Sequence, residues 1–150
     1  MLVDCVADGA SVSFMHPLSL GRARVFWQGV LADAARGDRM LIIAEDRAGI
    51  VGTVQVVLAQ PENQPHRGDV SKMLVHPRAR RRGIGEALMR RAEDEARRAG
   101  KSLLVLDTAD ATAERLYRRC GWLFAGTIPG YALWPRGGPC DAHYFYRTLT

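Results

Sequence analysis

Long apolar runs are absent from this 150-residue chain. None approaches the ~18 residues that a membrane-spanning helix needs. Cysteine is scarce: Cys5, Cys120 and Cys140 are odd in number, far apart and without a CxxC pair. That argues against a disulfide scaffold and against a zinc ribbon. No His/Cys/Asp cluster has metal-ligand spacing, so no metal is expected. The start, Met1-Leu2-Val3-Asp4-Cys5, lacks the basic segment of a secretory leader, and the chain reads as cytoplasmic. There is no internal repeat and no low-complexity tract. Lysine is almost missing: of 21 basic residues, only Lys72 and Lys101 are not arginine.

What is present is ordinary globular material, 47% hydrophobic and 25% charged. The length is near that of one domain, and residues 1–150 read as one. The net charge is +5, with arginines concentrated in Arg78-Ala79-Arg80-Arg81-Arg82 and at Arg115, Arg118 and Arg119. A planar guanidinium suits phosphate, which it can bind through two parallel hydrogen bonds. The same residues also read as a solvated basic surface, or as a nucleic-acid footprint.

Apolar patterning and turn residues predict ten elements in the order ααβββαβαββ. Residues 2–10 read as the tail of a helix. Residues 20–36 read as a second helix, with Val25, Phe26, Val30 and Leu31 as its apolar stripe and Gly37 as its stop. Residues 40–45 and 50–59 form an antiparallel hairpin, where Gly52 marks a bulge or a close backbone approach. Residues 60–68 are a loop and 69–75 a third strand, ended by His76-Pro77. The clearest helix is 84–99, with Ile84, Leu88, Ala92 and Ala96 on one face and the pairs Glu93–Arg97 and Asp94–Arg98 on the other. Residues 102–107 are a continuous apolar run, as a buried parallel strand requires. Asp110 caps a helix over 111–120, ended by Gly121. Residues 122–127 are a strand, 128–140 a long loop and 141–148 a closing strand.

The segment most informative for chemistry is Val75-His76-Pro77-Arg78-Ala79-Arg80-Arg81-Arg82-Gly83-Ile84-Gly85-Glu86-Ala87-Leu88. A strand ends, a short basic loop follows and a helix begins. A helix N-terminus offers unpaired N–H donors and a partial positive charge, so an anion fits there. Gly83 and Gly85 would let the backbone approach a phosphate. A Walker loop is excluded, because GxxxxGK[ST] is absent. A dinucleotide fingerprint is excluded too, because Leu88 stands at the third glycine position. The residues match [QR]xxGx[GA], as Arg80-Arg81-Arg82-Gly83-Ile84-Gly85. A second block, Asp110-x-x-Ala113-x-x-Leu116-Tyr117-x-x-x-Gly121-Trp122, follows the strand that ends at Asp107.

Together the two blocks resemble the GNAT N-acetyltransferase superfamily, with Asp110 in place of its usual Asn and Trp122 in place of its Phe. A narrower resemblance, to the tabtoxin-resistance acetyltransferases, rests on Gly9-Ala10-Ser11-Val12-Ser13-Phe14, Asn63, residues 66–75, Leu106-Asp107-Thr108, Ile128-Pro129-Gly130-Tyr131 and Tyr144-Phe145-Tyr146. The resemblance implies a mixed α/β sheet of the acyl-CoA acyltransferase type with its first edge strand missing, since the chain begins eight residues before Gly9. It implies acetyl-CoA as cosubstrate and, as acceptor, a primary amine on a small polar molecule of amino-acid or toxin type. A protein or peptide amine is the alternative acceptor. It also implies direct transfer within a ternary complex, and a homodimer.

Carried over residue by residue, the resemblance makes Tyr117 the donor of a proton to the departing thiolate, a task within reach of a phenol of reference pKa ~10. Tyr117 also reads as a core residue packed with Ala113 and Cys120. Asp69 and Asp107 would draw a proton from the acceptor amine, Asp107 from the carboxyl end of a buried strand where α/β sheets place ligands. The other readings are a strand-start aspartate and a capping aspartate. The cofactor would meet Leu74 and Val75, near a strand bulge whose backbone N–H faces the thioester oxygen. It would also meet Arg80, Arg81, Arg82, Gly83, Ile84, Gly85, Thr108 and Arg118. Arg115 and Arg118 read equally as a solvated helix face. Asn63, Tyr131 and Trp134 would border the acceptor. His66 and His76 are not needed and read as polar loop residues, His143 sits in the closing alternating strand, and Cys120 reads as a packing residue.

Two other classes stand beside the enzyme. A CoA-binding regulatory protein without catalysis would bind the cofactor and turn nothing over. A nucleic-acid-binding domain would need aromatics interleaved with the arginines, or a groove-reading motif, and neither is visible.

Overall fold

The computed structural model describes all residues from Met1 to Thr150. Its elements run α1 (Leu2–Ala7), α2 (Leu20–Ala35), β1 (Arg39–Asp46), β2 (Gly49–Val57), β3 (Arg67–Val75), a 3₁₀ turn (Pro77–Ala79), α3 (Ile84–Arg98), β4 (Leu103–Thr108), α4 (Ala111–Arg119), β5 (Leu123–Leu133) and β6 (Pro139–Thr148). The strands form one six-stranded mixed sheet in the order β1-β2-β3-β4-β6-β5. All neighbours are antiparallel except β3 and β4, which run parallel across the α3 connection. The expected mixed α/β architecture and element order are those observed. β1 and β5 are the two edges of the sheet.

Two cores flank the sheet. The larger lies under α3 and α4 and holds Val54, Val56, Val70, Leu88, Met89, Leu104, Leu106, Leu116, Tyr117 and Phe145. The smaller gathers Leu2, Cys5, Val6, Leu18, Ala23 and Leu74 between α1, α2 and β3. One strand serves both because β3 carries a bulge: Lys72 and Met73 stand opposite the single residue Val54. An extra residue reverses the alternation of side chains beyond it. Val70 therefore faces α3, whereas Leu74 faces α1 and α2.

Gly52 is a close approach. A Cβ there would meet Leu88 Cδ1 at 2.8 Å and Ile84 Cγ2 at 3.0 Å. α3 thus lies directly on β2, as the glycine in a β-branched strand suggested.

Three expectations need correction. The stripe on α2 holds only in part: Val30 is buried and Phe26 packs against the smaller core, but Val25 and Leu31 are exposed and Ala23 is buried in their place. Glu93 does not belong to the solvated face of α3. It is buried, accepts a hydrogen bond from Trp122 Nε1 at 2.8 Å and stands 3.5 Å from Arg147 Nε, with Arg97 at 4.0 Å. Asp94 pairs with Arg97, and Arg98 with Glu95. Finally, residues 128–140 are not one long loop. β5 continues to Leu133 and β6 starts at Pro139, with the ladder irregular between Phe124 and Gly126 and broken again between Ile128 and Ala132. Asp141 supports that break by accepting a hydrogen bond from the Gly130 N–H at 2.8 Å.

Candidate functional site

β3 and β4 pair at only three positions, Arg67↔Leu103, Gly68↔Leu104 and Asp69↔Val105. Beyond Asp69, β3 stays with β2 as far as Val75. β4 stays with β6 as far as Thr108. The two parallel strands therefore diverge, and the facing edges of residues 70–75 and 106–108 are unpaired with each other. Such edges leave backbone N–H and C=O groups available to a ligand lying between them. The bulge sits on one wall of this gap, one to two residues before the expected Leu74 and Val75. Thr53 pins it, donating its hydroxyl hydrogen to the Lys72 carbonyl at 2.9 Å.

The basic loop and the start of α3 lie at the open end of the gap, immediately after β3. The N-cap of α3 is Gly83, with φ 77° and no side-chain capping bond. The first N–H groups of the helix are thus free, which is the arrangement an anion occupies. Gly83 is required for its left-handed backbone. Gly85 has a different reason: a Cβ there would lie 2.9 Å from Leu116 Cδ2, so it keeps α3 against α4.

The arginines divide. Arg80 is drawn away to Asp8, at 2.6 Å, and to the Val75 carbonyl. Arg78 makes a two-pronged pair with Asp46, and Arg82 lies 3.7 Å from the same carboxylate. Arg81 has no ion-pair partner and adopts φ 61°, so it is the loop arginine free to meet an anion. Arg118 is occupied elsewhere: it bonds Glu114 and lies over the rings of Phe124 and Phe145. Thr108 uses its hydroxyl to accept from the Asp110 N–H ahead of α4. Asp110 caps that helix as expected, accepting from Thr112.

The opposite side of the sheet from α3 and α4 carries a cleft of about 400 Å³. Asp107, Ser11, Ser13, Tyr131, Cys140 and Asp141 are among its lining residues. Segment 10–18 walls it, held by the bond from the His16 N–H to the Pro135 carbonyl and by the Ser11–Cys140 contact. Tyr131 lines it, edge-on to Tyr144, the cross-strand neighbour of Asp107. The adjacent Tyr131 hydroxyl, with burial second, pushes Tyr144 up to about 12. Asn63 is exposed in the β2–β3 connection, and Trp134 lies in the β5–β6 turn; neither lines the cleft.

Asp69 and Asp107 share this face, since each neighbours a residue that points into the α3 core. Asp69 stands where the strands part. Its Oδ2 accepts from Gln60 and Arg67, while Oδ1 is buried without a partner. The protein packed around Asp107 raises its pKa, and Lys72 partly offsets that. Tyr117 is on the other side of the sheet, buried against Trp122 and Phe145. Burial, then Asp110 and Asp107, raises its pKa, so it stays a protonated phenol. Cys120 is half-buried and its thiol is pushed up by burial, which removes thiolate character. His76 is a structural residue: Nδ1 accepts from the Arg78 N–H, and Nε2 lies 3.4 Å from Asp4. No group of three metal-ligating side chains is placed to hold an ion.

Ser11, Ser13, Lys72 and Tyr144 had not been singled out as site residues. The signal for Tyr144 was alternation, which puts it beside Asp107 on one face. Segment 10–18 offers no such signal, because only tertiary packing brings it there.

Diverging parallel strands with an uncapped basic helix start define a fold built to hold an acyl-CoA. Solved acetyltransferases share this fold. The ribosomal-protein-alanine N-acetyltransferase of Brucella melitensis superposes with a TM-score of 0.82 at 23% identity, covering 99% of this chain and 90% of that one. A phosphinothricin acetyltransferase of Sinorhizobium meliloti, solved with acetyl-CoA, gives 0.80 at 18% identity, covering 99% and 79%. In sequence, residues 11–122 match the profile of the acetyltransferase (GNAT) family, and the chain belongs to that family, whose cosubstrate is acetyl-CoA. An IAA acetyltransferase of Azospirillum brasilense is 35% identical over 103 residues. That match spans 67% of this chain and 65% of the relative, just under two thirds of its length. An uncharacterized N-acetyltransferase of the same organism is 28% identical over 141 residues, 90% of this chain and 82% of that one.

Proposed function

We propose that this protein transfers acetyl from acetyl-CoA to a primary amine on a small polar, amino-acid-like or toxin-like molecule, directly and within one ternary complex. The observation that carries this reading is the gap between β3 and β4, which opens at the uncapped start of α3 and ends at Asp69. The free N–H groups of residues 83–86, with Arg81, hold the cofactor's phosphates. Backbone groups along residues 70–75 pair with its pantetheine amides. The bulge places a backbone N–H to face the thioester oxygen. Asp107, open to the cleft, takes the proton of the acceptor ammonium, and Asp69, with its free Oδ1, assists. Tyr117 gives its proton to the leaving thiolate from the other side of the sheet. The cleft's modest volume, walled by segment 10–18, favours a small acceptor over a protein surface. A homodimer would cover Leu123, Ile128 and Leu133, which are exposed on edge strand β5.

The test is a thermal-shift titration with acetyl-CoA, with CoA and a polyphosphate as controls, followed by a thiol-release screen of amines. At 100 times its dissociation constant, acetyl-CoA adds about 2.7 kcal/mol of stability. A saturable rise in Tm absent with polyphosphate, together with amine-dependent thiol release, is the expected result. A rise without thiol release from any amine assigns the chain to cofactor binding alone. An equal rise with any polyanion reduces the loop to a charged turn.

A further inference from the structure

We infer that Lys72 is the anion-reading residue of the acceptor cleft: its ammonium binds a carboxylate on the acceptor, whose amine lies toward Asp107. The acceptor is then a zwitterion, and a neutral or purely cationic amine is a poor substitute. This inference rests on the transfer reading above and assigns the part of the acceptor that does not react.

The first support is the state of the two lysines. Lys101 is spent on the backbone, donating to the Leu58 carbonyl at 2.8 Å and the Pro65 carbonyl at 2.7 Å. Lys72 donates once, to Ser13 Oγ at 3.0 Å, and otherwise has only the face of Phe26, 5.9 Å from its ring centroid. An ammonium carries three donors, so two are left over. No carboxylate lies within ion-pair distance of it, although arginines throughout the chain find acidic partners. Lys72 is not itself a lining residue, but Ser13, its one partner, lines the cleft together with Asp107.

The second support is the backbone. Three non-glycine residues adopt positive φ: Ser13 at 73°, Lys72 at 50° and Arg81 at 61°. Two of them are the hydrogen-bonded pair Ser13 and Lys72, and the third is the unpaired arginine of the basic loop. Left-handed backbone at non-glycine residues persists only where the surroundings impose it, and such positions concentrate at functional sites. At Lys72 the bulge and the Thr53 hydroxyl impose it. The bulge takes Lys72 out of the strand's alternation, toward segment 10–18 on the cleft side.

The third support is charge. Lys72 and Asp107 each lie within the other's field without pairing. Burial lowers the pKa of Lys72 and raises that of Asp107, so each pays for its charge with little return. A ligand with a cation and an anion a few bonds apart neutralises both at once, whereas a simple amine leaves Lys72 desolvated and unpaired. A cleft of about 400 Å³ has room for a molecule of that size.

The experiment compares α-amino acids with their carboxamides, which keep the amine and lose the anion. Turnover is read by thiol release. Binding is read separately, by titrating N-acetylated amino acids and their carboxamides into the CoA-saturated protein. Wild type should favour the carboxylate by at least about tenfold in both readouts, as one charge-assisted bond warrants. In Lys72→Gln, which keeps a donor for Ser13, the ratio should fall toward one. Lys72→Arg should restore part of it. The inference is overturned if wild type shows no carboxylate preference, binds no carboxylate, or keeps its preference in Lys72→Gln. If Lys72→Gln does not fold, a wild-type ratio near one still overturns the inference, and a ratio changed in Lys72→Arg still ties the preference to Lys72. Lys72-dependent carboxylate binding without turnover would leave the inference standing and sink the transfer reading. Turnover of carboxamides and carboxylates alike would do the reverse.

Discussion

Tyr117 is enclosed by Trp122 and Phe145, and burial holds its phenol in the protonated form. A proton donor must be protonated when the thiolate departs, so this environment suits the task. Tyr117→Phe removes one oxygen from a packed ring whose hydroxyl bonds no other side chain. It should lower kcat by ~100-fold or more while leaving acetyl-CoA affinity within a few-fold, read by steady-state kinetics and calorimetry. Asp107 makes an opposite demand, because it must be ionised to accept a proton. Its pKa lies above the ordinary carboxylate value of about 3.9, so activity should fall with acid at a pH above that value. The pH profile of kcat/KM, which reports the free enzyme, should show this limb in wild type and lack it in Asp107→Asn. A limb unchanged in the variant would assign the base elsewhere. At this scale the sequence was partly legible. Asp107 and Tyr117 were singled out from the sequence; Asp107 lines the cleft and Tyr117 is buried on the other side of the sheet. Arg80 was chosen by motif and is held by Asp8, which no local pattern could place, whereas the hold of Glu114 on Arg118 is an i,i+4 pair that helical spacing makes legible.

At the scale of elements, α3 organises the molecule. Its start is left without a side-chain cap, and its buried face covers β1, β2 and β3. Gly52 permits the contact with β2. In Gly52→Ala the new Cβ meets Leu88, Ile84 and Ala44, at 2.8, 3.0 and 3.4 Å. Overpacking of this kind costs about 1–3 kcal/mol. A lowered denaturation midpoint, with weaker acetyl-CoA binding as the start of α3 shifts, is the expected outcome. An unchanged midpoint would mean that Leu88 and Ile84 yield freely. The element pattern was legible where one periodicity ruled, as in α3 and β4. It failed over residues 128–140, where proline and glycines suggested a loop. There the β6 partner and the Asp141 carboxylate carry β5 across an irregular ladder. It held only in part on α2, where Phe26 and Val30 turn inward but Val25 and Leu31 face outward.

Across the whole molecule, Glu93 joins parts that are distant in sequence. Its buried carboxylate accepts from Trp122 after α4 and meets Arg147 of β6. Arg147 in turn donates to the Gly121 carbonyl at 2.7 Å. Glu93→Ala strands the indole N–H and the guanidinium together. Breaking a buried pair from one side costs about 3 kcal/mol or more. The loss should be visible in urea denaturation, and Glu93→Gln should recover part of it by keeping the Trp122 bond. The periodicity of α3 had placed Glu93 on the solvated face, because helical spacing reveals which residues share a face but not how wide the covered face is.

The sequence by itself determined the family, the order of the elements, the basic glycine loop and the main catalytic candidates. Those rest on local spacing: a strand followed by a helix start, or a tyrosine at fixed distance from a cap. Tertiary structure decided what lies between distant segments. It set the divergence of β3 from β4, the partners that withdraw most of the loop's arginines, and the cleft that segment 10–18 closes over Asp107. It also turned one of the chain's two lysines toward Ser13. Contacts of this kind join residues up to 129 positions apart, as Ser11 and Cys140 are. They depend on how sheet faces and helix faces meet, which no local period encodes.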